Sequence, residues 1–72
     1  MPLPNTYASI VNDIEAKIKS GRYPRGSALP SYRELAEAYG VGISTVSRAI
    51  ATLRERGLVI GLQGKGVYVA ER

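Results

Sequence analysis

The sequence contains no cysteine, which excludes disulfides and thiolate metal sites. It contains no histidine, which removes imidazole ligands and the commonest general base. No apolar run approaches the ~20 residues that cross a bilayer. The start, Met1-Pro2-Leu3-Pro4, lacks the basic head and apolar stretch of a signal peptide. Repeats, low-complexity segments and paired-carboxylate motifs are absent as well, so no catalytic residue, cofactor, metal site or membrane contact is expected. What the chain does have is positive charge. Ten Lys and Arg against six Asp and Glu give +4 over 72 residues. The first 40 residues carry five basic and four acidic groups, the last 32 five and two, so the excess lies towards the C-terminal end. That balance points to a polyanionic partner, and with no signal peptide or membrane span the expected location is cytoplasmic.

At this length the chain holds one domain with a marginal core, since a domain of about 60 residues buries only roughly 60% of the surface its unfolded chain exposes. Residues 1–6 are Pro-rich at their start and are expected to be flexible, with residues 7–70 forming the domain. Asn5 or Thr6 caps a first helix on which Tyr7, Ile10, Val11, Ile14 and Ile18 share one face and which Gly21 ends. Lys17 and Lys19 suit its last turn. Pro24, Gly26, Ser27 and Pro30 then mark a loop. Ser31-Tyr32-Arg33-Glu34 reads as a capping box that opens a short second helix with Leu35, Ala36 and Tyr39 inward. Gly40 stops that helix, and Val41-Gly42 make a tight turn to the next.

The third helix is predicted from Ile43 to Arg56 with Gly57 as its C-cap. Val46, Ala49, Ile50 and Leu53 form its buried stripe, while Ser44, Ser47, Arg48, Ala51 and Glu55 take the opposite face with Thr45 and Thr52 on its flank. The period then changes. Residues 58–62 and 67–69 read as strands around a Gln63-Gly64-Lys65-Gly66 turn, which makes a β-hairpin. The fold class is therefore mainly α with a small hairpin, a three-helix winged helix-turn-helix. One core uses all these apolar stripes, which leaves no spare apolar face, so the isolated domain is expected to be a monomer.

In order, Tyr7, Ile14, Ile18, Gly21-x-Tyr23-Pro24-x-Gly26-x-x-Leu29-Pro30-Ser31, Arg33-Glu34-Leu35-Ala36, Gly40-Val41, Thr45-Val46, Ala49, Leu53, Gly57-Leu58-Val59 and Gly64-x-Gly66-Val67-Tyr68-Val69 resemble the DNA-binding domain of the GntR family of bacterial transcription regulators. Each piece is weak alone; the ordered set, over residues 7 to 70, is specific. The resemblance implies a repressor or activator that binds a near-palindromic duplex operator. Helix three would dock in the major groove and the hairpin, residues 61–69, would stand at the minor groove. It further implies a C-terminal effector and dimerisation domain outside this chain, so that a small-molecule effector acts only through that domain and the parent is a homodimer. The chain departs from the family pattern at Tyr32, Gly42, Ile43 and Ser47, where the pattern carries Glu, Ser, Arg and Arg. Family arginines at the last two positions read guanine edges, so this chain is expected to depend less on guanine.

The residues expected at DNA are Arg33, Ser44, Thr45, Ser47, Arg48, Gln63, Gly64 and Lys65. A cation in the first turn of helix two opposes the helix dipole, so Arg33 has little structural reason to be there. Ser44, Thr45 and Ser47 exceed the one hydroxyl a cap needs, and hydroxyls reach phosphate or base edges. Arg48 either takes over from the missing arginines or touches phosphate alone. Lys65 at the Gly-rich tip suits a minor-groove or phosphate contact. A nucleotide phosphate loop is excluded there, because Gly66 and a strand follow Lys65 where Ser/Thr and a helix are required. Arg54 and Arg56 read as a solvated helix end, and Tyr7, Tyr39 and Tyr68 as core. The alternative function is a winged-helix module that binds protein without DNA sequence specificity; an exposed apolar patch would favour it.

Overall fold

The computed structural model describes residues 6–62, 64 and 66–71. Three helices, α1 (Tyr7–Ser20), α2 (Tyr32–Tyr39) and α3 (Ile43–Glu55), are followed by the strands β1 (Val59–Leu62) and β2 (Gly66–Val69). Of the segment 1–6 expected to be flexible, Thr6 alone is described; residues 1–5, and with them Asn5 as a cap, lie outside the described residues. The Thr6 hydroxyl caps α1 by accepting from the Ser9 amide. At the other end Gly21 adopts φ 89°, a left-handed turn that side chains resist, and donates its N–H to the Ile18 carbonyl. The capping box of α2 is complete: Ser31 Oγ accepts from the Glu34 amide, and Glu34 Oε1 accepts from the Ser31 amide.

Two boundaries differ from the sequence reading. α3 closes on Arg56, and Gly57 takes the left-handed turn one residue later, where glycine is preferred. The hairpin includes Gly66 and starts at Val59, so the wing spans 59–69 rather than 61–69. Its antiparallel register pairs Val59 with Val69 and Leu62 with Gly66. The loop between α1 and α2 also joins the sheet. Ala28 bridges Tyr68, and the Leu29 amide donates to Val67 O at 2.8 Å while the Val69 amide donates to Ser27 O at 2.8 Å. β2 therefore has a partner on each side, and β1 is the edge strand.

α3 packs on α1, α2 and β1. Val46, Ala49, Ile50 and Leu53 are fully buried against Ile10, Val11, Ile14 and Ile18 of α1, Leu35, Ala36 and Tyr39 of α2, and Val59 and Val69 of the wing. No polar or charged residue is buried among the described residues. The expectation of no spare apolar face fails at the wing, where Ile60 is 46% and Leu62 41% exposed. Strand alternation explains it: Val59 turns inward, so Ile60 and Leu62 face out.

A polar cluster ties α1 to α2 at the rim of this core. The Tyr39 hydroxyl donates to Asp13 Oδ2, and Lys17 Nζ lies 3.1 Å from the same oxygen. The Tyr39 hydrogen bond, helped by Lys17, holds the Asp13 carboxyl below its ordinary value of 3.8. Burial, and then the Asp13 carboxylate, push the Tyr39 phenol upward. A carboxyl whose folded pKa is lowered adds stability above its unfolded pKa and loses it as the pH falls through the folded value. Asp13→Asn is therefore expected to lower Tm near neutral pH, with the gap to the parent closing as the pH is taken from about 5 down to about 2. A Tm difference that persists unchanged at the acid end would show that the carboxylate charge is not what stabilises this contact.

Candidate nucleic-acid interface

The helix-turn-helix presents the outer face of α3. Its N-cap is Gly42, which makes no side-chain capping bond, so the hydroxyls of Ser44, Thr45 and Ser47 are not consumed in closing the helix. Ser44 and Ser47 are exposed and Thr45 is half-buried. Ile43, in the first turn, is 52% exposed, an apolar group presented to solvent beside three hydroxyls. Arg33 is exposed in the first turn of α2. Gly64 is exposed between the wing strands, and Gln63 and Lys65 lie outside the described residues.

The cations fall into two groups. Lys17, Lys19 and Arg56 are held by carboxylates, Arg56 Nη1 lying 2.8 Å from Glu15 Oε1 across the α1–α3 contact. Among the described residues, Arg22, Arg25, Arg33, Arg48 and Arg54 form no salt bridge. Arg33, Arg48 and Arg54 belong to the two helices of the helix-turn-helix. Arg54 and Arg56 are both exposed at the end of α3, as their reading as a solvated helix end expects, but each also has a neighbour in the fold. Arg56 is an inter-helix tie, and the Arg54 guanidinium lies against the wing, so close that a β-carbon at Gly61 would stand 3.0 Å from its Nη2.

Arg48 has a seat. Its guanidinium carbon lies 4.1 Å from the centre of the Tyr7 ring, a cation–π contact worth about 0.5–1 kcal/mol at an exposed site. Tyr7 thus does more than fill the edge of the core: it is half-buried, with Arg48 over its ring. A guanidinium supported by its flat face keeps its in-plane N–H donors for another partner. Thr6, Tyr7, Ser44, Thr45 and Arg48 line a cleft of about 320 Å³ between the starts of α1 and α3. Four hydroxyl-bearing residues, the guanidinium of Arg48 and the nearby N-termini of two helices make this cleft suited to an anion. Neither Thr6 nor Tyr7 is visible as a functional residue in the sequence, since each meets α3 only through the fold. Arg54 does have a local signal: it lies seven residues beyond Ser47, on the same helical face.

The comparisons agree with this architecture. Residues 6–69 match the model of the family described as bacterial regulatory proteins, gntR family. The chain is 36% identical over 97% of its length to the HTH-type transcriptional repressor NagR of Bacillus subtilis, of which it spans 28%. It superposes on a GntR family transcriptional regulator from Listeria monocytogenes with a TM-score of 0.88 and 38% identity, covering 92% of this chain and 58% of that one. It superposes on the AraR DNA-binding domain in complex with operator ORX1 with a TM-score of 0.85 and 33% identity, covering 89% of this chain and 77% of that one. These relatives are transcriptional regulators rather than enzymes, and the chain spans less than a third of the regulators it matches by sequence. Over these residues, the chain belongs to the gntR family of bacterial regulatory proteins.

Proposed function

We propose that this domain binds duplex DNA sequence-specifically to regulate transcription, with α3 in the major groove and the wing at the minor groove. The observation that carries this reading is the outer face of α3: hydroxyls not used in a cap and Arg48, which lies over the Tyr7 ring and forms no salt bridge among the described residues, at the exposed N-terminal end of the second helix of a helix-turn-helix. That relatives with this fold include a DNA-binding domain in complex with its operator supports it. Residues 7–70 act as the DNA-reading part of a longer bacterial regulator. That regulator is a homodimer on a near-palindromic site, with a separate C-terminal domain for its effector. Arg33, Ser44, Thr45, Ser47, Arg48, Gln63, Gly64 and Lys65 make the contacts, joined by Thr6 and Tyr7. Ile43 and Ser47 cannot form bidentate bonds to guanine, and Ile43 suits a thymine methyl. Selection of bound duplexes from a random pool is expected to return a half-site with little guanine dependence under α3. A pool that shows no enrichment refutes sequence-specific binding.

Its seat on Tyr7 turns Arg48 towards the start of α1, at the rim of the interface, and this favours phosphate over a base edge. Arg48→Ala is then expected to weaken specific and scrambled duplexes by the same factor, and to reduce the slope of log affinity against log salt by about 1. Tyr7→Leu leaves the charge but removes the ring, and should give a smaller loss of the same kind. Matched titrations of both variants check this. A fall in the specific-to-scrambled ratio for Arg48→Ala would make Arg48 a base reader instead.

One observation favours the second reading, a module that binds protein. Ile60, Leu62, Tyr68, Val69 and Ala70 line a hollow of about 410 Å³ on the outer face of the wing. No α3 residue lines it, so this face is compatible with protein contact while α3 is on DNA. A module that binds protein alone would leave the random pool unenriched.

A further inference from the structure

We propose that Arg54 and the glycine-lined side of the wing form a phosphate seat that grips the DNA backbone between the end of α3 and β1. The inference rests on the DNA-binding reading above and assigns to it a residue outside the helix-turn-helix contact set. Arg54 forms no salt bridge among the described residues, and its neighbour Glu55 points elsewhere because adjacent helical residues do not face each other. The position at 61 explains how the guanidinium is held. Val59 turns inward to the core, so the side chain two residues on would also point towards α3. Glycine leaves that space open, and the Arg54 guanidinium occupies it, with Nη2 3.0 Å from where a β-carbon would be. Arg54, Gly61, Leu62, Gly64 and Gly66 line a cleft of about 480 Å³. Three glycines leave its wall as bare backbone, which lets a phosphate approach closely, and Arg54 supplies a planar fork that matches phosphate oxygens.

The spacing along α3 fits. Arg54 lies on the Ser47 face and about 10 Å further along the axis. With the N-terminal half of α3 in a major groove about 12 Å wide, a group at that distance reaches the sugar–phosphate wall rather than the bases. The Arg48–Tyr7 cleft and the Arg54–Gly61 cleft then stand on opposite flanks of the exposed face of α3, one against α1 and one against the wing.

The test uses fluorescence titration of the domain with specific and scrambled duplexes over a range of salt. One phosphate contact changes the salt slope by about 0.9, or roughly eight-fold in affinity at 0.1 M salt relative to 1 M. Arg54→Ala is expected to lose that factor on both duplexes alike. Arg22→Ala, which removes the same charge from the loop after α1, should change affinity by less than about two-fold, because exposed charges beyond a Debye length are screened. Gly61→Val keeps the net charge and suits a strand, but it displaces the guanidinium. It should weaken binding in the parent and have no further effect in Arg54→Ala. Near-parental Tm in the Arg54→Ala and Arg54→Lys variants separates contact loss from unfolding, and Arg54→Lys should restore the slope. The seat is refuted if Arg54→Ala binds as the parent does, if Arg22→Ala loses as much, or if Gly61→Val is harmless. A parent domain whose affinity for duplex is flat with salt refutes the DNA reading itself, whereas a parent with the full slope and an unaffected Arg54→Ala refutes only the seat.

Discussion

Ile50→Ala is expected to destabilise the domain by about 2–5 kcal/mol, enough to unfold much of the population at 37 °C. Ile50 is fully buried on the inner stripe of α3, and α3 is the element on which α1, α2 and β1 all pack. Removing its three outer carbons leaves a void that three elements would have to move to fill. The loss includes both the transfer free energy of those atoms and a cavity term. The chain has no cysteine, so no disulfide supplements the core of these 72 residues. At this size each kcal/mol shifts Tm by about 4–8 °C, so thermal unfolding followed by far-UV circular dichroism reads the effect directly. A loss below about 1 kcal/mol would mean that the helices repack around the cavity and that α3 is not the keystone described here. The exposed Ala51, one residue along, is the natural control, since surface changes away from caps and pairs stay within about 0.5 kcal/mol.

Affinity for duplex DNA is expected to fall by about 150-fold between 50 and 200 mM salt, if about four phosphates are neutralised at about 0.9 each. Arg33, Arg48, Arg54 and Lys65 are the four cations in question. None of the three that are described is in a salt bridge among the described residues, so no internal pair must be broken to use them. The three cations paired among the described residues stand elsewhere, on α1 and at its contact with Arg56. A titration series in monovalent salt gives the slope. A slope near zero would sink the electrostatic account, and a slope near half the expected value would leave two of the four cations off the backbone.

Much of the fold was legible because its signals are local. The α1 stripe of Ile10, Val11, Ile14 and Ile18, the Ser31–Glu34 capping box and the helix-ending Gly21 and Gly40 are all decided within one or two turns, and each appears where the spacing placed it. The hydroxyl-rich outer face of α3 was legible for the same reason. What escaped depends on contacts between distant residues. Tyr7 and Arg48 are 41 positions apart, as are Glu15 and Arg56, and no periodicity links them. Ala28 joins the wing through a single bridge, too short to leave an alternating pattern. The exposed Ile60 and Leu62 were hidden differently: the run Leu58-Val59-Ile60 is apolar throughout, and only the direction of Val59 in the fold decides which of its neighbours stay outside.

The pairing of the α1–α2 loop with β2 divides the wing into two parts with separate fates. Its stem, from Gly26 to Leu29 on one side and Val67 to Val69 on the other, is hydrogen-bonded into the sheet and carries the core residue Val69. Its tip lies between Leu62 and Gly66, beyond the residues whose hydrogen bonds make that stem. Lengthening the tip costs only a logarithmic increment of closure entropy, while each residue added to an extended arm gains up to about 3.3 Å of span. The reach and composition of the wing can therefore drift from one regulator to another, altering what is touched beside the operator core, while the part that must fold stays as it is.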